Sequence, residues 1–119
     1  MLMELEDRIV QFAARCVKVC AALPPKVVGS SGFADQMFRS STSIAANYAE
    51  ACEAESAKDF VHKLKVAMKE LSETRIWLKL IGEAGYIDSD KLASLIGESK
   101  ELSRILSASV TTTKKKIGG

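Results

Sequence analysis

The strongest constraint on the fold is the run of residues 36–78, where two long helical patterns meet at a single break, Glu53-Ala-Glu-Ser56. On both sides of the break, apolar residues recur in steps of three and four, the spacing of one face of a helix. From Phe60 to Ile81 these steps form a heptad-like seam, which is typical of antiparallel bundles and coiled coils. This run therefore predicts two packed α-helices.

A third amphipathic segment precedes this run. The first helix is predicted over about residues 5–22, and Pro24-Pro25 ends it because proline lacks the N–H that an interior helical position donates. After a connector, the second helix is predicted over about residues 33–53, with an apolar stripe from Ala34 to Cys52. Small residues crowd the middle of that helix, which indicates neighbouring helices that approach closely.

The last two helices have recognisable start signals. The third begins at Ser56, because Ser56-x-x-Asp59 has the form of a capping box, and it ends near Gly82. The fourth begins at Asp88 or Ser89, and Ser99 interrupts its apolar stripe. Three consecutive threonines from Thr111 are poor helix formers, so fraying is predicted to start there.

The composition fits one compact helical domain. The chain has 119 residues and is 47% hydrophobic, which is too apolar for a disordered chain, and it has only two prolines and 6% aromatic residues. Four amphipathic helices with short links predict an all-α, antiparallel up-down-up-down four-helix bundle. We expect residues 1–119 to form this single domain, with 114–119 as a frayed basic tail.

The cysteines and the start of the chain predict a cytoplasmic protein. Cys16, Cys20 and Cys52 are odd in number and form no Cys-x-x-Cys motif, which indicates reduced thiols. The opening MLMELEDR is acidic and lacks the apolar segment of a signal peptide. No uncharged apolar run is long enough to cross a bilayer, so no membrane partner is expected.

No arrangement of residues points to catalysis. A dimetal centre in a bundle needs two Glu-x-x-His motifs, and the chain has one histidine, His62. Cys16, Cys20, Cys52 and His62 are conceivable zinc ligands. The spacing of the first two cysteines, however, is also that of residues packed in a helical core. We therefore expect no enzyme activity, no cofactor, no metal and no small-molecule substrate.

Ordered polar residues on the second and third helices form the main candidate site. Residues spaced by three or four share one helix face, and charges among small packing residues need partners. Opposite charges on the adjoining helices supply such partners, either within one protomer or between subunits. We predict a structural or oligomeric motif rather than a ligand site. It comprises Arg39, Ser43, Asn47, Glu50, Glu70 and Glu73.

A second candidate is a basic surface. The formal net charge is only +2, but residues 88–119 hold six basic residues against four acidic ones, and the excess lies in the terminal lysine run. Such a run either complements a helix dipole or contacts RNA or an acidic partner. The candidate nucleic-acid contacts are Lys65, Lys79, Lys114, Lys115 and Lys116.

Three motifs carry a family resemblance. They are Gln36-Met-x-Arg39-Ser-Ser-x-Ser43-Ile-x-x-Asn47-Tyr-x-Glu50, Ser56-x-x-Asp59-Phe and Ala67-x-Lys69-Glu70-x-x-Glu73-Thr. This pattern resembles the bacterial four-helix-bundle proteins first noted as products of intervening sequences in large-subunit ribosomal RNA genes. The chain departs from it at Ala51, where many members have glycine.

The resemblance implies a four-helix protomer in a ring-shaped homopentamer, and most members have no assigned activity. The family includes the accessory protein of diversity-generating retroelements, a more basic barrel that binds nucleic acid and a reverse transcriptase. We therefore expect a non-enzymatic, homo-oligomeric scaffold or interaction protein. The alternative is an accessory protein that binds RNA or DNA, with a reverse transcriptase as partner.

Overall fold

The computed structural model describes residues 4–118, which form four helices. Helix contacts join α1 to α2, α2 to α3, α3 to α4 and α4 back to α1, in a bundle of 53 × 27 × 23 Å. The predicted all-α, antiparallel up-down-up-down four-helix bundle is confirmed. The helices are α1 (Leu5–Ala22), α2 (Ser30–Cys52), α3 (Ala57–Glu83) and α4 (Ser89–Gly118).

The core follows the predicted seam of α3. Leu64, Leu71 and Leu78 are completely buried, each one heptad from the next. Phe60, predicted at the start of the seam, is only half-buried because it lies in the first turn of the helix. The other completely buried members of the seam are Ala67, Thr74 and Ile81.

Helix α2 begins three residues earlier than predicted. Gly29 precedes it with a left-handed backbone angle, φ +92°, and the Ser30 hydroxyl donates a hydrogen bond of 2.7 Å to the Pro24 carbonyl. The Tyr86 hydroxyl donates to the Val28 carbonyl and so ties this connector to the α3–α4 link. At the other end of the stripe, Cys52 is exposed because it is the last residue of α2.

The ends of α3 and α4 show one confirmed signal and one correction. The Ser56 hydroxyl accepts the Asp59 N–H at 3.0 Å, as the capping box predicts. Helix α4 does not fray at Thr111 but continues through Gly118, and Gly119 lies outside the described residues. Val110 is buried and Thr113 half-buried, so packing against the α2–α3 junction carries the helix past the threonines.

Gly29→Ala is expected to lower the free energy of unfolding by about 1–2 kcal/mol, because an L-residue is strained in the left-handed region. An added Cβ also comes within 2.8 Å of the Tyr86 hydroxyl oxygen. The matched control is Gly97→Ala, inside α4, where a Cβ meets no atom within 4 Å. Urea unfolding should show the control to be stabilised by about 0.5–1 kcal/mol. Equal effects would contradict the strain argument.

Candidate functional site

An ion-pair network links α2 to α3 within one protomer. The Arg39 guanidinium donates to Glu70 at 3.1 Å and also to Glu73, whose carboxylate accepts the Trp77 indole N–H at 3.1 Å. The hydrogen bond to Glu73 is the main reason that the pKa of Arg39 is raised above its ordinary value. The network thus pairs the charge of Arg39 on α2 with two carboxylates on α3.

The remaining members of the predicted motif divide into two groups. Glu50 accepts from the Lys63 ammonium at 3.0 Å, which adds a second α2–α3 bridge. Asn47 donates to the Ser43 carbonyl at 2.9 Å and to its hydroxyl at 3.0 Å, and both residues lie on α2. Arg39, Glu50, Glu70 and Glu73 therefore connect helices, whereas Ser43 and Asn47 bond to each other.

A buried hydroxyl pair lies beneath this network. Ser40 on α2 and Thr74 on α3 are both completely buried, and their hydroxyl oxygens are 2.7 Å apart. Thr74 also donates to the Glu70 carbonyl at 2.8 Å. The small residues of α2 indicated this close approach, although the pairing of these two hydroxyls was not predicted.

Arg39→Ala is expected to lower the melting temperature by a small amount, because half of the Arg39 side chain is exposed and exposed ion pairs contribute little. Glu70, whose side chain is only 18% exposed, then loses its cation. Arg104→Ala is the control, since Arg104 pairs with Glu101 on its own helix. Calorimetry and native mass spectrometry check the result, and a variant with unchanged melting and unchanged mass would contradict a structural role.

Two exposed apolar patches lie on different sides of the bundle. The first, the α3 patch, is formed by Ile76 and Leu80, which are 51% and 44% exposed. They continue an outward line that runs in steps of four and three from the start of α3. The members of that line are His62, Val66, Lys69, Glu73, Ile76 and Leu80.

The name α1–α2 patch is used here for Val10 of α1 and Phe38 of α2, which are 50% and 53% exposed on two neighbouring helices. Phe38 is one turn from Ala34, whose carbonyl accepts the Cys20 thiol of α1 at 3.5 Å, so it lies on the α1 side of α2. Val10 is two residues beyond Arg8, which bonds Glu98 of α4, so it lies on the opposite side of α1 from α4. The two patches therefore belong to different faces.

The candidate basic residues are spread over both ends of the α3–α4 face. Lys65 and Lys114 come together, and the pKa of Lys65 is lowered because Lys114 lies within hydrogen-bonding reach and adds a like charge. Lys79 lines a cavity of 270 Å³ between α3 and α4. Lys116 lines a cavity at the α2–α3 junction, and Lys115 is exposed in the last turn. The terminal lysines 114–116 thus lie on α4 rather than on a frayed tail.

Arg75 is a further polar centre that the sequence analysis missed. Its guanidinium lies between α3 and α4 and contacts the hydroxyls of Ser72, Ser99 and Ser103 at 3.3–3.5 Å. The polar gap that Ser99 makes in the apolar stripe of α4 was the available signal. Arg75 was not predicted as the partner of Ser99, because the sequence of each helix alone does not fix how α3 is aligned along α4.

The thiols and carboxylates that the structure describes form no metal-binding group. Burial raises the pKa of the Cys16 thiol to about 12 and also raises the pKa of Cys20, so both favour the protonated form. In residues 4–118, no three His, Cys, Asp or Glu side chains are placed to share a metal ion. None of the helices in this range is long and apolar enough to cross a membrane.

The fold and the sequence of this chain have known relatives. The chain is similar to a crystal structure from Bacteroides thetaiotaomicron, described as a protein with unknown function from the S23 ribosomal protein family. The identity is 34%, the TM-score is 0.81, and the match covers 90% of this chain and 98% of that one. No curated protein matches the chain. The family model for the 23S rRNA-intervening sequence protein matches residues 3–108, and the chain therefore belongs to that family.

Proposed function

We propose that this chain is a non-enzymatic cytoplasmic scaffold that assembles into a ring-shaped homopentamer. The observation that carries the proposal is the pair of apolar patches, the α3 patch and the α1–α2 patch, on different faces of one protomer. Isolated exposed apolar residues are ordinary, but two pairs of exposed large apolar residues, on helices whose other large apolar side chains are buried or half-buried, favour contacts with other chains.

Two different patches favour a ring over a dimer. In a two-fold dimer, both copies use the same surface, so a patch on a different face would stay exposed to water. When one patch meets a different patch of the next copy, the contacts close into a ring if the rotation allows it. Five subunits are what the family resemblance implies.

The chemistry of the polar residues supports a binding role rather than catalysis. The carboxylates of Glu70 and Glu73 are held by Arg39, and the Cys16 thiol is buried. A catalytic acid, base or nucleophile needs an accessible group with a pKa suited to proton transfer or attack. The ion pairs instead fix α3 against α2, which holds the outward line of α3 in place.

Native mass spectrometry at low salt tests the proposal directly. We expect a species of about 65 kDa, five times the 12.9 kDa chain. A monomer at micromolar concentration would contradict self-association, and a dimer would contradict the ring.

The alternative function is that of an accessory protein that binds RNA or DNA and partners a reverse transcriptase. The approach of Lys65 to Lys114 favours it, because a phosphate placed between two like charges relieves their repulsion. The same spectra, taken on protein gently purified from its own host, distinguish the two functions. Bound nucleic acid supports the accessory protein, whereas bare multimers favour the scaffold.

A further inference from the structure

The Arg75 guanidinium contacts serine hydroxyl groups from two helices. Its Nη1 is 3.3 Å from the Ser99 hydroxyl and 3.5 Å from that of Ser103, both on α4. Its Nη2 is 3.4 Å from the Ser72 hydroxyl, one turn earlier on α3. These contacts are long for hydrogen bonds and use only part of the five N–H donors of a guanidinium.

Three of the five arginines have a glutamate counter-ion, whereas Arg15 and Arg75 bond only to serine hydroxyls among the described residues. Arg15 is exposed to water, and Arg75 is half-buried. Arg8, Arg39 and Arg104 each pair with at least one glutamate, whereas Arg75 forms no salt bridge with any residue between 4 and 118. The glutamates of central α3 and α4 are held by those three arginines. They are Glu70, Glu73, Glu98 and Glu101. A half-buried cation without an anion is therefore placed at the α3–α4 contact.

Two of the three serine hydroxyls around Arg75 keep an O–H group that can donate to a further acceptor. Ser99 already donates to the Ile96 carbonyl at 2.6 Å, so it can only accept from Arg75. Ser72 and Ser103 accept from Arg75 through oxygen lone pairs, which leaves their O–H groups free to donate outward. Lys79 lies one turn after Arg75, and Lys100 one turn before Ser103, so two more cations share this face.

We propose that Arg75, Ser72 and Ser103 form a binding site for a phosphate group, flanked by Lys79 and Lys100. A guanidinium fork matches the spacing of two phosphate oxygens, and hydroxyl donors from both helices reach the remaining oxygens. The site lies within one protomer, so it does not depend on self-association. The phosphate belongs either to a small phosphorylated molecule or to the backbone of a polynucleotide.

Calorimetric titration with inorganic pyrophosphate and anisotropy with a labelled single-stranded oligonucleotide test the site on the full chain. The test variant is Arg75→Gln, and the matched control is Arg104→Gln, which removes the same charge from the neighbouring helix. Arg75→Gln is expected to weaken binding by about tenfold or more, because it removes a charged bidentate donor. Arg75→Lys should also weaken it, since a point charge does not reproduce the fork.

The two probes distinguish the two sources of phosphate. Saturable, Arg75-dependent binding of pyrophosphate alone assigns a small phosphorylated ligand, and Arg75-dependent binding of the oligonucleotide alone assigns a polynucleotide. Binding of neither probe, or equal loss in the two glutamine variants, overturns the site. If Arg75→Gln does not fold, the site is tested by NMR on the unsubstituted, ¹⁵N-labelled protein, through the Nε–H signal of Arg75. It should shift on titration with the probes, and an unmoved signal overturns the proposal.

Discussion

Phe38→Glu and Ile76→Glu are each expected to reduce the assembled protein to monomers, and an equal mixture of the two variants is expected to form dimers. A ring contact joins the α1–α2 patch of one copy to the α3 patch of the next. Each variant lacks one of these surfaces and keeps the other. Mixing therefore restores a single contact between unlike copies, with no free patch left to continue the ring.

The size of the effect follows from burial. Full burial of one phenylalanine or isoleucine side chain stabilises a contact by about 1.5–3 kcal/mol, and both side chains are about half exposed in the free protomer. Glutamate removes this gain and adds the cost of taking a charge out of water. Since every contact of the ring carries the same substitution, the loss is repeated around the whole assembly.

Native mass spectra and light scattering of the separate and mixed variants give the readout. Ile117→Glu is the matched control, because Ile117 is 55% exposed at the end of α4 and belongs to neither patch. It should leave the assembly intact. Monomers that stay monomers after mixing would contradict contact between unlike patches, and a mixture that rebuilds the full ring would contradict these patches as the contact.

Most of the fold was predictable from the sequence because each helix carries its own signal. The step of three and four along α3 identifies Leu64, Leu71 and Leu78 as core without knowledge of the neighbouring helices. The start of α2 was not predictable in this way. It depends on the left-handed angle at Gly29 and on a bond between Ser30 and Pro24, and neither has a periodic pattern.

The candidate site was predictable only where opposite charges decide the pairing. Arg39 and the glutamates of α3 are far apart in sequence, but a partly buried charge needs an opposite charge nearby. The adjoining antiparallel helix supplies it, so the pairing was predictable. Asn47 is neutral and can bond locally, so its sequence position did not reveal that Ser43 would satisfy it. The contacts of Arg75 were not predicted for a related reason, because its serine partners carry no charge that identifies them in the sequence.

Leu71→Ala is expected to destabilise the protomer and Leu80→Ala the assembly, although both replace a leucine of α3. Leu71 is completely buried at the centre of the seam, whereas Leu80 is 44% exposed in the α3 patch. Removing Leu71 leaves a cavity in a close-packed core, which costs about 2–5 kcal/mol. That is a large share of the roughly 5–15 kcal/mol that stabilises a domain. Removing Leu80 leaves the protomer core intact and weakens only contacts with other copies.

The two effects separate cleanly in the Phe38→Glu background, which is expected to be monomeric. In urea unfolding of this monomer, Leu71→Ala should shift the midpoint strongly, and Leu80→Ala should shift it by much less. In the assembled protein that keeps Phe38, Leu80→Ala should raise the protein concentration below which the ring dissociates. If Leu80→Ala destabilised the monomer as much as Leu71→Ala, Leu80 would be a core residue, and the α3 patch would lose half of its members. The α3 patch serves assembly only if its residues can be changed without cost to the protomer.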